Sequence, residues 1–531
     1  MNLFNKIKNS RILRRQSISE ATLIIVTITF LSKIIGYARE VLVAYYFGAT
    51  AKTDAFLIAF LVPSMVLGLI AGSIQIVIIP LYTEKKKINL QKARLFVNQV
   101  FFITVIFFIV FSIIMYLFPT FFIKIVAYGF KGNRLSLAVY FMRYLIIFGF
   151  FNVFIGFFTG LYQAEKQFFY PSLIILIGNS FVPLSLIIFN PVIGISSWIV
   201  GEIMFSAFSF FSLFIILKWK RGFFSEFALK HIDWEEMAHF ADLLFPIILT
   251  ASLFTVNNIV DKIVASSLSV GSIAILNFAQ RIYLIPFGLL ITPLNVSTYP
   301  TLSSLAASKN YKGYANLFQQ SITLILFVMI PISVLFIVLS QPIVCILFQH
   351  GAFTSKDTVT TALTVSMYSI GLFMIAANDF LRRIFFSFKN TKTPLYISIV
   401  IVSINVVGDI VLSRFLGVTG IALATSTAVT IGFLIYFTTL IRIGYLAHVH
   451  LSDILIESIK VIFVSILIGA IAFFLRKYIN SLSLILSILR FTLVSLILLV
   501  LYLFLTRIMR SKGFNLFRLY ASKFLYKIVD L

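Results

Sequence analysis

Lys33, Arg39 and Glu40 stand where charge is costly. They belong to the stretch "LSKIIGYARE", inside an apolar run from Ala21 to Phe47 that is long enough to cross a bilayer. A charged group near the bilayer centre costs at least ~2.5–3.5 kcal/mol on insertion scales, so it marks a site of function or a buried pair. On a helix Lys33 and Glu40 are seven residues apart and share one face, while Ser32 and Arg39 form a parallel stripe about 100° around. Lys33 and Arg39 are then separated by ~9 Å along the axis. The adjacent Arg39 and Glu40 point in different directions, which predicts poor mutual neutralisation. Arg281, in "NFAQRIYLIPFG", sits near the middle of another span. Lys33, Arg39 and Arg281 make a cationic trio suited to a wet central cavity that attracts an anion. Phosphate groups suit it best, because charge-assisted bonds to phosphate are strong. Snorkelling to the headgroups, the alternative, is poorly served by a mid-span position.

A second constellation lies in "SINVVGDIVLSRFLGVTGIALATST". Asn405 and Asp409 are four apart, hence on one helical face, and Thr425 belongs to the next span. With Asp261 they offer hard oxygen donors suited to a hard cation; hydrogen bonding between helices is the alternative use of the same groups. Asp54, opening the second span in "TDAF", reads as a helix N-cap. Gly68/Gly72 and Gly156/Gly160 have the spacing of close helix packing. Asp379, Arg382 and Arg383 read as a local pair or as snorkelling groups. There is no GxxxxGK[ST] phosphate loop and no nucleophile–base pair on a loop, which argues against an ATP motor and against an enzyme.

The elements that carry these residues are transmembrane helices. Of 531 residues 60% are hydrophobic and 11% charged, and the mean hydropathy is +1.05; soluble domains run roughly 45–50% apolar and 25% charged. The chain reads as an all-α polytopic membrane protein with fourteen spans, at about 21–47, 55–80, 96–118, 136–161, 169–189, 192–217, 243–267, 271–299, 318–339, 358–386, 395–413, 418–441, 456–475 and 483–506. The 43 Lys+Arg against 18 Asp+Glu give a net charge of +25. These bases cluster in alternate loops, 81–94, 218–242, 303–317 and 387–394, which places those loops and both termini in the cytoplasm and gives no sign of nucleic-acid binding. Lys124, Lys131 and Arg134, and again Arg476 and Lys477, fall on the outer side against this pattern. Cys345 is the only cysteine, so an internal disulfide is impossible. The scattered histidines, such as His448 and His450, do not make a metal site. The basic opening "MNLFNKIKNSRILRRQS" has no cleavage site and reads as the flank of a retained first span.

The chain also repeats at an offset of 222 or 223 residues. "ARLF" at 93–96 matches "ANLF" at 315–318, and Gly129, Gly149 and Pro171 match Gly351, Gly371 and Pro394. Six spans fit in one repeat, so the copies are parallel. This predicts two six-helix lobes, 1–217 and 243–442, joined by a cytoplasmic linker at 218–242 and followed by a helix pair and basic tail at 443–531. Parallel repeats of this kind build transporters with the substrate site between the repeats. Asp261 and Lys262 fall 222 residues after Arg39 and Glu40 with the signs reversed, which raises Arg39–Asp261 and Glu40–Lys262 pairing as one outcome.

The opening "SKIIGYAREVLVAYYFGATAKTDAFLIAFLVP", with "LFQHGAFTSKDT" and "KNTKTP" downstream, resembles the MurJ/MviN-type lipid II flippases of the multidrug/oligosaccharidyl-lipid/polysaccharide exporter superfamily. The resemblance runs from about residue 20 to 440. It implies fourteen helices in two six-helix lobes plus a C-terminal pair. It also implies alternating-access movement of undecaprenyl-pyrophosphate-linked peptidoglycan precursor between the leaflets of the bacterial cytoplasmic membrane. Its cavity arginines fall on Lys33, Arg39 and Arg281, with Ser32, Glu40, Asp54 and Lys262 as neighbours. Its sodium site falls on Asp261, Asn405, Asp409 and Thr425. No other cofactor is implied. The expected partners are the lipid-linked substrate, membrane lipids and the cell-wall synthesis machinery, around a monomer. The sequence departs from the family at Lys33, which lacks the arginine fork. It departs again in "PSMVLGLIAGSIQIVIIP", where the family carries an Arg pair and a Glu. A flippase for another polyprenyl-linked oligosaccharide is the alternative; a drug/cation antiporter would want acidic cavity residues.

Overall fold

The computed structural model describes residues 18–221, 223–224, 232–479 and 483–529. The basic opening stretch and Lys230 of the linker lie outside them. Among the described residues the elements begin with α1 (Ile18–Phe47), α2 (Ala51–Leu61), a π-turn (Val62–Val66) and α3 (Leu67–Ile88). Next come α4 (Leu90–Leu117), α5 (Pro119–Val126), α6 (Gly132–Ala164), α7 (Phe169–Ile193), α8 (Ser196–Arg221) and α9 (Trp234–Ser266). Then follow α10 (Ser272–Pro286), a second π-turn (Phe287–Ile291), α11 (Thr292–Ala307), α12 (Tyr311–Phe348), α13 (Ser355–Ile370) and α14 (Leu372–Ser387). The chain ends in α15 (Lys392–Leu416), α16 (Val418–Ile443), α17 (Leu451–Leu475) with a short 3-10 turn, α18 (Leu484–Ile508) and α19 (Lys512–Val529). Among the described residues 11 helices are long and apolar enough to cross a membrane, or 12 when α13 and α14, bent by 41°, count as one span. This is a polytopic all-helical membrane architecture.

Local chemistry sets the ends of these helices. The Asn89 side chain accepts from the Gln91 and Lys92 amides and caps α4. Thr354 and Asp357 form a capping box at α13. Gly194 and Gly417, at φ +56° and +59°, end α7 and α15 in the left-handed region that glycine enters without steric cost. Pro171 and Pro394 lie in the first turns of α7 and α15, where a missing N–H is harmless. The punctuation that repeats in the sequence thus repeats in the backbone.

The chain divides into two compact units, Met1–Ile273 and Ala274–Leu531. The boundary falls after α9, whereas the sequence assigned that helix to the second lobe. Its attachments explain the difference. Glu236 pairs with Lys85, Phe240 packs on Phe96, and the Ser266 hydroxyl accepts from the Gly129 amide at 3.3 Å.

In the first unit the core is aromatic. Phe101 stands 4.6 Å from Phe224 and 5.3 Å from Phe154, ring centre to ring centre. Lipid is as apolar as these rings, so contact geometry and packing hold the helices together and not flight from water. Gly156 and Gly160 bring α6 onto α3: a Cβ at Gly156 would meet the Ala71 oxygen at 2.8 Å, and one at Gly160 would meet Ile78 at 2.7 Å. Gly68 and Gly72, expected to pack the same way, have nothing within 4 Å. They face away from α6, because Ala71 and Gln75 take the contact. In the second unit Gly371, at the α13–α14 bend, donates its amide to Ser426 Oγ at 3.1 Å, and a Cβ there would strike Ser426 at 2.8 Å.

The two glycine pairs give opposite expectations. Gly156→Val should destabilise the purified protein by about 1–3 kcal/mol through overpacking. Gly72→Ala should be neutral or stabilise by ~0.5–1 kcal/mol through helix propensity. Thermal unfolding in detergent reads both, and equal effects would contradict the packing described.

Candidate functional site

The first-span charges are not isolated. Arg39 Nη2 lies 2.9 Å from Glu40 Oε1, and Nη1 lies 3.4 Å from Glu202 Oε1. The expectation that Arg39 and Glu40 cannot neutralise each other is therefore corrected: the arginine stem is long enough to swing the guanidinium around the helix to its neighbour. Arg39 takes Glu202 of α8, whereas pairing with Asp261 was one outcome the repeat raised. Glu202 also accepts from Trp198 Nε1 at 3.2 Å, and Trp198 stacks on Phe56 at 3.7 Å. The pair is anchored on one side, with the carboxylates buried and the arginine side chain 22% exposed. The guanidinium keeps donors beyond these two, and its buried Nε has no partner among the described residues. Ser32 and Lys33, a turn and a half earlier on α1, are half-buried.

Asp54 is not the N-cap it was expected to be. Thr50 occupies that position, with extended backbone. Asp54 stands on the fourth residue of α2, fully buried, and accepts from the Gly271 amide at 2.7 Å and from Arg134 Nη2 at 3.4 Å. Gly271 has φ +90°, and a Cβ on it would strike the Ala49 oxygen at 2.3 Å, so only glycine fits this approach. Arg134 also stacks over Phe130 at 4.3 Å. Its place in a loop that should be poor in bases is accounted for by a buried carboxylate. Asp261 and Lys262, on α9, are buried in the same unit.

In the second unit Arg281 is exposed on α10, six residues before the π-turn. Its neighbour Gln280 donates to Tyr368 Oη at 3.1 Å, and Tyr283 stacks on Tyr368 at 4.4 Å, which fixes that part of α10 against α13. Asn405 donates to Asp409 Oδ2 at 2.8 Å, and both are buried. The close crossing of Gly408 and Ala424 sets Asp409 and Thr425 on facing helices. Thr425 Oγ1 is buried and bonds the Ile421 carbonyl at 3.2 Å. These groups supply a carboxylate, an amide oxygen and a hydroxyl away from bulk water. Asp379 holds Arg382 and Arg383 locally and accepts from Asn295 at 2.7 Å.

Three buried acids escape the sequence reading: Glu202, Glu457 and Glu165, the last of which accepts from the Tyr82 hydroxyl and pairs with Lys86. Glu202 stands in "WIVGEIMF", and its four-residue distance from Trp198 was the available signal. Glu457, in α17, accepts from the Ser511 hydroxyl and from the amides of Lys512 and Gly513 at 3.0 and 2.9 Å. It caps α19 from another helix, which no local pattern reveals.

The family described as "Lipid II flippase MurJ" matches residues 43–493. A "Probable lipid II flippase MurJ" of Buchnera aphidicola subsp. Baizongia pistaciae is 30% identical over 428 residues, covering 78% of this chain and 81% of that one. The "Lipid II flippase MurJ" of Thermosipho africanus is 28% identical over 410 residues, 76% and 82% of the two chains. A solved structure described as "Lipid II flippase MurJ, inward closed conformation" superposes with a TM-score of 0.75 at 26% identity, covering 92% of this chain and 99% of that one. An inward-facing multidrug transporter of the MATE family, at 14% identity and a TM-score of 0.65, shares the fold.

Removing Glu202 tests the anchored pair. Glu202→Ala should cost about 1–3 kcal/mol, below the 3–5 typical of a fully buried pair because Arg39 is partly exposed. It should also shift the Trp198 emission, since the indole loses its acceptor. Unchanged unfolding and unchanged emission would mean that the contact carries no weight.

Proposed function

Because the chain belongs to the lipid II flippase MurJ family, transporters of the bacterial inner membrane and not catalysts, we propose that it moves lipid II from the inner to the outer leaflet by alternating access. Both termini are cytoplasmic in this reading, as the basic loops favour. The pyrophosphate head is received by Lys33, Arg39 and Arg281. The polyprenyl tail stays in lipid, where its transfer costs nothing. The observation that carries this assignment is Arg281, exposed on an apolar helix six residues before a π-turn. A cation within an apolar span marks a functional site, and π-turns occur often at such sites. Lys33 serves as a point charge, without the fork of an arginine. Arg39 stays tied to Glu40 and Glu202 and offers its remaining N–H groups, so it positions as much as it attracts.

A sodium ion would be held by Asp261, Asn405, Asp409 and Thr425. The donor set fits: a buried carboxylate, an amide oxygen and a hydroxyl are hard ligands, and Asp409 and Asn405 stand side by side, joined by a hydrogen bond. The ion would supply a compensating charge there and link the transport cycle to its gradient. One observation favours a second substrate: the stretch after Pro63, from Ser64 to Ile79, carries no charge. A different polyprenyl-linked oligosaccharide, with the same diphosphate, would make the same contacts at Lys33 and Arg281.

Complementation of a strain depleted of its lipid II flippase decides between these. Wild type should restore growth, Lys33→Arg should match it, and Lys33→Ala or Arg281→Ala at equal expression should lose it. No rescue by wild type would point to the other oligosaccharide; full rescue by both alanine variants would remove the anion site. The ion is tested on stability alone. Sodium at 100 times its Kd should stabilise by ~2.7 kcal/mol relative to potassium at equal ionic strength, and Asp409→Asn should abolish the difference.

A further inference from the structure

Arg143 lies on α6, eleven residues after Gly132, or ~16 Å along the axis, and it is exposed. Tyr140, Arg143, Tyr144 and Ile147 share one face of the helix, at spacings of three and four residues. The opposite face, with Phe141, Met142 and Leu145, is buried in the first unit. The Arg143 guanidinium stands over Tyr116 of α4 at 5.7 Å, and the Tyr140 and Tyr144 rings meet edge to face at 5.1 Å. All three tyrosines are about half exposed, and Ile113 and Leu117 extend the patch as open apolar surface. Among the described residues no carboxylate pairs with Arg143. This sets it apart from Arg39, Arg134, Arg382 and Arg383, each of which has its acid.

An arginine on an apolar, outward surface inside a span needs a counter-charge from the medium. The medium offers lipid phosphate. A guanidinium with three tyrosines beside it offers hydrogen-bond donors, and the aromatic faces suit the boundary between headgroup and acyl chain. We propose that Arg143, Tyr116, Tyr140 and Tyr144 form a binding site for the phosphate of an anionic glycerophospholipid, on the lipid-facing side of α4 and α6. The site selects phosphatidylglycerol-type headgroups over phosphatidylcholine, whose own ammonium competes for the phosphate. Its placement in the outer leaflet rests on the orientation proposed above. The site is independent of the pyrophosphate residues, none of which lies on α4 or α6.

The test uses the full-length protein in nanodiscs of phosphatidylglycerol and phosphatidylcholine, with retained lipids counted by native mass spectrometry. Wild type should hold one more phosphatidylglycerol per chain than Arg143→Ala or Arg143→Gln, and Arg143→Lys should keep most of the difference. Tyr116→Phe, which leaves the fold untouched, should weaken retention. Equal lipid counts in wild type and Arg143→Ala would overturn the site, as would displacement of the lipid by millimolar inorganic phosphate. Neither reading requires transport, so a failed complementation leaves this result standing. The leaflet is read separately: with Cys345 replaced by serine, a cysteine introduced at Asn133 should react with an impermeant maleimide in intact cells. Protection of that cysteine would overturn the outer-leaflet placement.

Discussion

A carboxylate in hydrocarbon has to find a donor, and much of this protein is arranged around where its few buried acids find theirs. Among the described residues seven acids are buried, and acids are rarely buried unless they are paired. Glu40 and Glu202 share Arg39. Asp54 takes an amide from Gly271 and a guanidinium from Arg134. Glu165 takes the Tyr82 hydroxyl and Lys86. Asp409 takes Asn405, and Glu457 takes the start of a helix. The contacts of Glu202, Asp54, Glu165 and Glu457 join segments that the membrane alone would leave free to slide, because lipid gives helices no reason to prefer one another to itself. The bonds specify partner and register; close glycine contacts and aromatic rings then fill the space.

The same accounting separates residues that build from residues that act. Arg39 and Arg134 are embedded in acid pairs. Arg143 instead reaches open space on an outward aromatic patch. Identical side chains in apolar helices therefore meet different fates according to whether an acid lies within reach. Lys33, half-buried on the same helix as Arg39, stands between these extremes.

Hydropathy alone made the helical architecture legible, because lipid forces the backbone to satisfy itself within each span. The repeat was legible too, since Gly, Pro and the short "LF" signature recur at one offset. The structure adds repeats that no residue type announces: Lys166 and Lys389, both non-glycine, turn left-handed at φ 56° and 59°, 223 positions apart. What failed was direction and partnership. Helical-wheel geometry put Arg39 and Glu40 apart, yet a flexible stem overrides a 100° difference. Asp54 looked like a cap from its place near a helix start, but the cap is decided by the backbone of Thr50. Gly68 and Gly72 had the right spacing on the wrong face. Glu202 and Arg143 stood in plain sight within apolar runs, but their meaning depends on a helix distant in sequence.

The attachment of α19 carries a practical consequence. Its first turn is seated on Glu457, with Lys512 reaching Asp453 at 2.8 Å and Gly513 pressed against Phe327. The end of the chain is thus a wedge holding α17 and α12 in register, and it is not a disposable tail. Trimming the polypeptide ahead of Ser511 would strand the Glu457 carboxyl group inside the bundle with its three donors gone, so shortened versions made for crystallisation or tagging should stop beyond the first turn of that helix.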